Sequence, residues 1–131
     1  MERSKDWMEQ AEWDLEHALH DLEHGFYDWA CFSAQQAAEK ATKAVFQKQG
    51  AVAWGHSVAE LLRELQRHFD IPQSLIEAAM ELDQAYVPSL YPNVLPAGAP
   101  KGAFTEGQAK RLINYAGEIL RVCKDILSGM D

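Results

Sequence analysis

The sequence predicts an all-α fold, an antiparallel up-and-down bundle of four long helices plus a shorter fifth. Three observations lead there. Apolar residues recur at spacings of three and four along most of the chain, the period of a helix that buries one face. No run of four or more residues alternates apolar with polar, so strands have no signal. Glycine, proline and Ser/Thr-x-x-Glu/Gln patterns fall where the periodic stretches begin and end.

The first helix is expected from about Ser4 to His24. Trp7, Ala11, Leu15, Ala18 and Leu22 form its stripe, and Gly25 sits where a C-terminal glycine closes a helix. Asp28 is placed to cap a second helix that runs to about Gln49 and stops at Gly50. That helix carries Ala30, Ala34, Ala37, Ala41 and Ala44 on one face, with Phe32 and Phe46 nearly opposite. A helix apolar on two sides is either central or turns its second face to a partner.

Ser57-x-x-Glu60 reads as a capping box opening a third helix of about 13 residues, the short member. Pro72 suits the first turn of a fourth helix, whose inward residues are Leu75, Ile76, Ala79, Leu82 and Tyr86. Thr105-x-x-Gln108 opens the last helix, with Ala109, Leu112, Ile113, Ala116, Leu120, Cys123 and Leu127 on one face. Pro88, Pro92, Pro96 and Pro100 make a helix untenable in the loop 87–104 between the last two helices.

Size and composition narrow the class. The 131 residues are expected to form one domain, residues 1–131, and 47% hydrophobic content excludes overall disorder. No apolar run reaches the ~18 residues of a membrane span. The charged N-terminus lacks the apolar core of a secretory signal, so the expected location is cytoplasmic. A net charge of −8 repels phosphate backbones and argues against non-specific DNA or RNA binding. Cys31 and Cys123 form no CxxC and fall at apolar helical positions, as buried free thiols do.

Several constellations have both a functional and a plain reading. His17, His20 and His24 lie within about 60° of one another on the outer face of the first helix. Three imidazoles so placed suit zinc or nickel, and equally a solvated helix end where the dipole favours cationic histidine. The plain reading is adopted, with no metal and no cofactor assigned. Trp13 shares that face and is a candidate interface residue, with Phe32 and Phe46. Arg63-x4-His68 has ribonuclease-like spacing, but five helical residues place the two ~140° apart. Gln36 and Lys40, four apart at the edge of the alanine face, either line a groove or lie on a solvated edge. Glu39 and Lys43 form a structural i, i+4 pair. No Gly-rich phosphate loop, HExxH or GxSxG is present.

Taken in order, these residues resemble one family. Trp7-x3-Ala11-Glu12-x-Asp14-Leu15-x2-Ala18 is followed by Gly25-Phe26-Tyr27-Asp28-Trp29-Ala30-Cys31-Phe32-x2-Gln35-Gln36-Ala37-Ala38-Glu39-Lys40-Ala41-x-Lys43-Ala44. Gly55-His56-Ser57-Val58 and Tyr86-x-Pro88-x2-Tyr91-Pro92-Asn93 come next. The pattern is similar to the HEPN domain (higher eukaryotes and prokaryotes nucleotide-binding), from about Trp7 to about Cys123. The resemblance implies a five-helix bundle that pairs as a homodimer. It further implies a substrate-binding subunit encoded beside a minimal nucleotidyltransferase, in many cases as a toxin–antitoxin pair. A nucleotide-type ligand would then sit in a groove at a dimer or subunit interface.

The chain departs from the family at the residues that cleave RNA. Leu90 stands where members commonly have Arg before the Tyr-Pro, and Leu95, Pro96 and Ala97 stand where a catalytic His would follow. Phosphodiester cleavage needs a base and a cationic stabiliser, so no catalytic residue is assigned. The resemblance leaves Tyr86, Tyr91 and Asn93 as candidate nucleotide contacts beside Gln36 and Lys40. Tyr91 would stack on a base and Asn93 would bond its edge or a ribose hydroxyl. Lys40 would meet a phosphate or pair with Asp14 or Asp83, and His56 would orient the start of the third helix. The alternatives are a ribonuclease toxin using atypical residues, such as Arg63 and His68 from different chains, and a plain dimeric interaction module.

Overall fold

The computed structural model describes residues 2–86, 93 and 95–131. It is an all-helical bundle of five α-helices: α1 (Ser4–Glu23), α2 (Tyr27–Gln49), α3 (Val58–Leu65), α4 (Gln73–Gln84) and α5 (Glu106–Gly129). A 3-10 turn, Pro100–Gly102, leads into α5. Among the described residues there is no strand. Tyr91, Leu90 and the proline block around them lie outside the described residues.

Two glycines close the first two helices. Gly25 (φ +79°) and Gly50 (φ +73°) adopt the left-handed conformation that side chains resist. In each case the following amide reaches back across the last turn, Phe26 N to Asp21 O at 2.9 Å and Ala51 N to Phe46 O at 2.9 Å. Orphan carbonyls at both helix ends are thereby satisfied.

α2 is the hub and touches each of the other four helices. Its alanines 30, 34, 37, 38, 41 and 44 are fully buried, so neighbouring backbones approach closely. Thr42 is buried among them with its hydroxyl donating to Ala38 O at 2.8 Å. Leu62, Leu65, Ile76, Leu82, Leu112 and Ile119 fill the space between helices. Each such side chain contributes roughly 1.5–3 kcal/mol of burial. Phe46 belongs to this core at 6% exposure. Its ring packs inward in this chain, whereas Phe32, the other phenylalanine of α2, is half-buried.

Details of three helices differ from the sequence reading. The inward face of α1 is rotated toward Ser4, Met8, Ala11, Ala18 and Asp21, while Trp7, Leu15 and Leu22 are only partly buried. α3 has 8 residues, since its last turn loosens at Gln66–His68. There Gln66 Nε2 donates to Ile71 O at 2.9 Å. Pro72 sits one place before the first turn of α4, as its N-cap. Both hydroxyl caps form: Ser57 Oγ accepts from Glu60 N at 3.1 Å, and Thr105 Oγ1 from Gln108 N at 3.0 Å. Part of the loop before α5 packs down, with Pro100 and Phe104 buried.

Candidate functional site

A polar and aromatic cluster gathers where α2, the 51–57 connection and the end of α4 meet. Its floor is the row Gln35, Glu39, Lys43 on α2, spaced four apart so that the side chains stack on one face. Glu39 is 5% exposed and takes three partners. Lys43 Nζ donates to its Oε2 at 3.1 Å, Gln35 Nε2 lies 3.3 Å from Oε1, and His56 Nδ1 stands 3.3 Å from both oxygens. A buried carboxylate needs such company, because an unpaired one carries a large desolvation cost.

Gln35 ties the connection to the helix. Fully buried, it donates through Nε2 to the His56 carbonyl at 3.0 Å, and its Oε1 accepts from Gln36 Nε2 at 2.7 Å. Asp83 on α4 fixes the next residues. Its carboxylate accepts from Val58 N at 2.8 Å, Ala59 N at 3.0 Å and Ser57 Oγ at 2.8 Å. These are the free amides of the α3 N-terminus, where a negative charge is favoured. The Glu60 carboxylate pairs with Arg63 at 2.8 Å, so Asp83 acts as the acidic cap of α3.

Rings form the outer wall. The His56 imidazole stacks on Tyr86 with centroids 5.0 Å apart and planes 15° from parallel. Phe32 lies 6.1 Å from Tyr86, and Trp29 meets Phe32 edge-on at 6.1 Å. Trp29 and His56 are exposed, while Phe32 and Tyr86 are half-buried. His56 directs Nδ1 at Glu39, which leaves Nε2 on the opposite side of the ring. The result is an exposed aromatic ledge above a buried acid, suited to stacking a flat heterocycle.

The candidates named from sequence fall in different places. Tyr86 belongs to the ledge, and Gln36 touches the cluster through Gln35. Lys40 does not: its Nζ pairs with Asp14 Oδ2 at 2.6 Å, a partly buried bridge between α1 and α2. Asn93 is exposed, and Tyr91 lies outside the described residues. Phe32 joins the ledge. Trp13 stands 66% exposed on α1. Arg63 pairs with Glu60, and His68 follows the end of α3 in a turn.

Glu39, Gln35 and His56 are what spacing missed as site residues. The i, i+4 row 35–39–43 was visible, but only the return of the 51–57 connection shows that a histidine faces it.

The histidines of α1 split. His20 and His24 stack at 4.3 Å, and His24 Nδ1 donates to His20 O at 2.8 Å. His17 turns toward Ser33 and Asp21. Among the described residues no three His, Cys, Asp or Glu side chains converge on one metal position. Also among them, no helix is long and apolar enough to cross a membrane. Cys31 and Cys123 are buried free thiols, and burial pushes both up to about 12.

Known structures share this fold. A protein from Thermus thermophilus is 44% identical, with a TM-score of 0.93 over 96% of this chain and 99% of that one. An HEPN domain protein from Thermotoga maritima is 54% identical, with a TM-score of 0.78 over 94% of this chain and 98% of that one. An archaeal HEPN homologue is 42% identical, with a TM-score of 0.81 over 95% and 98% of the two chains. No curated protein matches the chain. The HEPN domain family matches residues 4–126, and the chain belongs to that family.

Proposed function

We propose that this protein is a non-catalytic HEPN subunit that holds a nucleotide-type ligand on the His56–Tyr86 ledge. It pairs as a homodimer and presents that ligand to a minimal nucleotidyltransferase partner, within a toxin–antitoxin pair. The observation that carries the reading is the stack itself: two near-parallel rings, one of them exposed and anchored through Nδ1 to a buried acid. A base laid on such a platform gains about 1–3 kcal/mol. The ammonium of this cluster, Lys43, is engaged by Glu39, and the chain carries −8. Both favour recognition through the base over capture of a polyanion. Leu90, where the family's cleaving members carry Arg, supports a binding role.

The test is a thermal-shift and calorimetric screen of nucleotides, alongside gel filtration with the product of the adjacent gene. A shift lost in Tyr86→Ala and His56→Ala, together with co-elution, supports the reading. No shift with any nucleotide and no co-elution rejects it.

One observation favours a second reading, a ribonuclease using atypical residues. A carboxylate behind an imidazole, as Glu39 stands behind His56, is how a general base is oriented. Arg63 and His68 give that reading no support, since Arg63 is held by Glu60 on an exposed face. Transcript cleavage by the purified chain that vanishes in His56→Ala would establish it.

A further inference from the structure

Far from the ledge, α1 and α5 run side by side in opposite directions. Glu12 Oε1 and Lys124 Nζ meet across them at 3.3 Å, which sets their register. Seven residues further along α1 stands Leu19, and seven residues back along α5 stands Gly117. Between the helices runs an open groove of about 510 Å³ floored by Leu15, Leu19, Gly117 and Leu120, with Glu16 on the α1 rim and Arg121 on the α5 rim.

Parts of this groove have no use inside the chain. Leu19 is 46% exposed, a large apolar side chain held out to water. Gly117 sits within α5, where glycine weakens a helix relative to alanine. A Cβ at that position would meet nothing within 4 Å, so no neighbouring element requires the side chain to be missing. The rims are unspent as well. Glu16 makes no ion pair among the described residues, and Arg121 reaches only Asp125, at 3.7 Å with both side chains exposed.

A second copy of the chain supplies what each part lacks. Rotation by 180° about an axis along the groove sets α1 of one copy against α5 of the other and leaves height along the helices unchanged. Leu19 then stands level with the notch at Gly117 of the other copy, and Glu16 with its Arg121. Each contact occurs twice, as in any isologous interface. In this groove the acids Glu12 and Glu16 lie on α1 and the cations Arg121 and Lys124 on α5, so the facing rims attract even though the chain carries −8. The adjoining side of α1, lined by Asp6, Glu9, Gln10, Glu12, Trp13 and Glu16, offers no cation, and two copies would repel there. Helices of 20 and 24 residues present a face of about 600 Å² per subunit. That approaches the roughly 800 Å² per partner of a standard interface.

We infer that two copies of this chain pair through the α1–α5 groove, with Leu19 of each seated over Gly117 of the other and Glu16 facing Arg121 across the two-fold axis. The inference rests on the homodimer proposed above and names the face that forms it.

Sedimentation equilibrium on the full chain is the test. The parent should be a dimer, and Gly117→Gln should raise the dimer dissociation constant at least tenfold. Glutamine is the better helix former, so helix content by circular dichroism should not fall in that variant. Glu16→Arg and Arg121→Glu should each weaken self-association severalfold at low salt. An equimolar mixture of these two variants should pair as tightly as the parent, because the mixed dimer sets opposite charges at both contacts. A monomeric parent overturns the homodimer and this inference together. A dimer that Gly117→Gln leaves unchanged, or a mixture no tighter than its two components, overturns the inference alone and leaves the homodimer standing.

Discussion

His56 faces Glu39 across 3.3 Å although 17 residues separate them. One lies on an exposed connection and the other on the most buried helix. The contact is a weld between the aromatic ledge and the core, because Glu39 also takes Lys43 and Gln35.

Replacing Glu39 by Gln should therefore cost more than its one lost charge. Lys43 keeps no anionic partner in a half-buried place, and His56 loses its orienting acid. We expect the unfolding free energy to fall by about 2 kcal/mol. Urea denaturation monitored by circular dichroism reads this directly.

Asp83→Ala removes an acceptor from two backbone amides and one hydroxyl at the start of α3. Loss of a helix cap costs about 1–2 kcal/mol. With only 8 residues, α3 has little stability of its own. The amides of Val58 and Ala59 should exchange with deuterium faster than those of α2, while α5 stays protected. Uniformly faster exchange across the bundle would contradict this.

Lys40→Ala separates two roles. The salt bridge to Asp14 is partly buried, and its loss should cost about 1 kcal/mol. A phosphate contact at Lys40 would instead weaken nucleotide binding. We expect reduced stability with nucleotide affinity unchanged, measured on the same preparation by urea titration and calorimetry.

The two thiols should be silent in the folded chain. With burial raising both to about 12, neither ionises appreciably at pH 8, and thiolate is the form that reacts. Raising the pH toward 12 increases the reactive fraction. At pH 8 alkylation should occur at neither cysteine natively and at both in urea, as mass spectrometry will show.

The sequence made the bundle legible because each helix carries its own period and its own punctuation. Gly25, Gly50, Ser57 and Thr105 all act where local chemistry places them. Tyr86 was legible as a candidate through the family pattern, and it stands beside His56. What stayed hidden depends on contacts between elements. Nothing in the neighbourhood of Asp83 reveals that it caps a helix 24 residues earlier in the chain. Lys40 had two acids to choose from, and only packing of α1 on α2 selects Asp14. Phe46 looked like part of a second apolar face because its burial at 6% exposure comes from neighbouring elements that local spacing does not place.

The run of methyl groups along α2 leaves the bundle no slack. Where leucines meet, a lost or added carbon can be absorbed by a rotamer change; alanine has no torsion with which to yield. Ala37→Val should push whole helices apart, at about 1–3 kcal/mol. Tolerance to substitution in this protein ought to follow how near a position lies to that seam, rather than how hydrophobic the newcomer is.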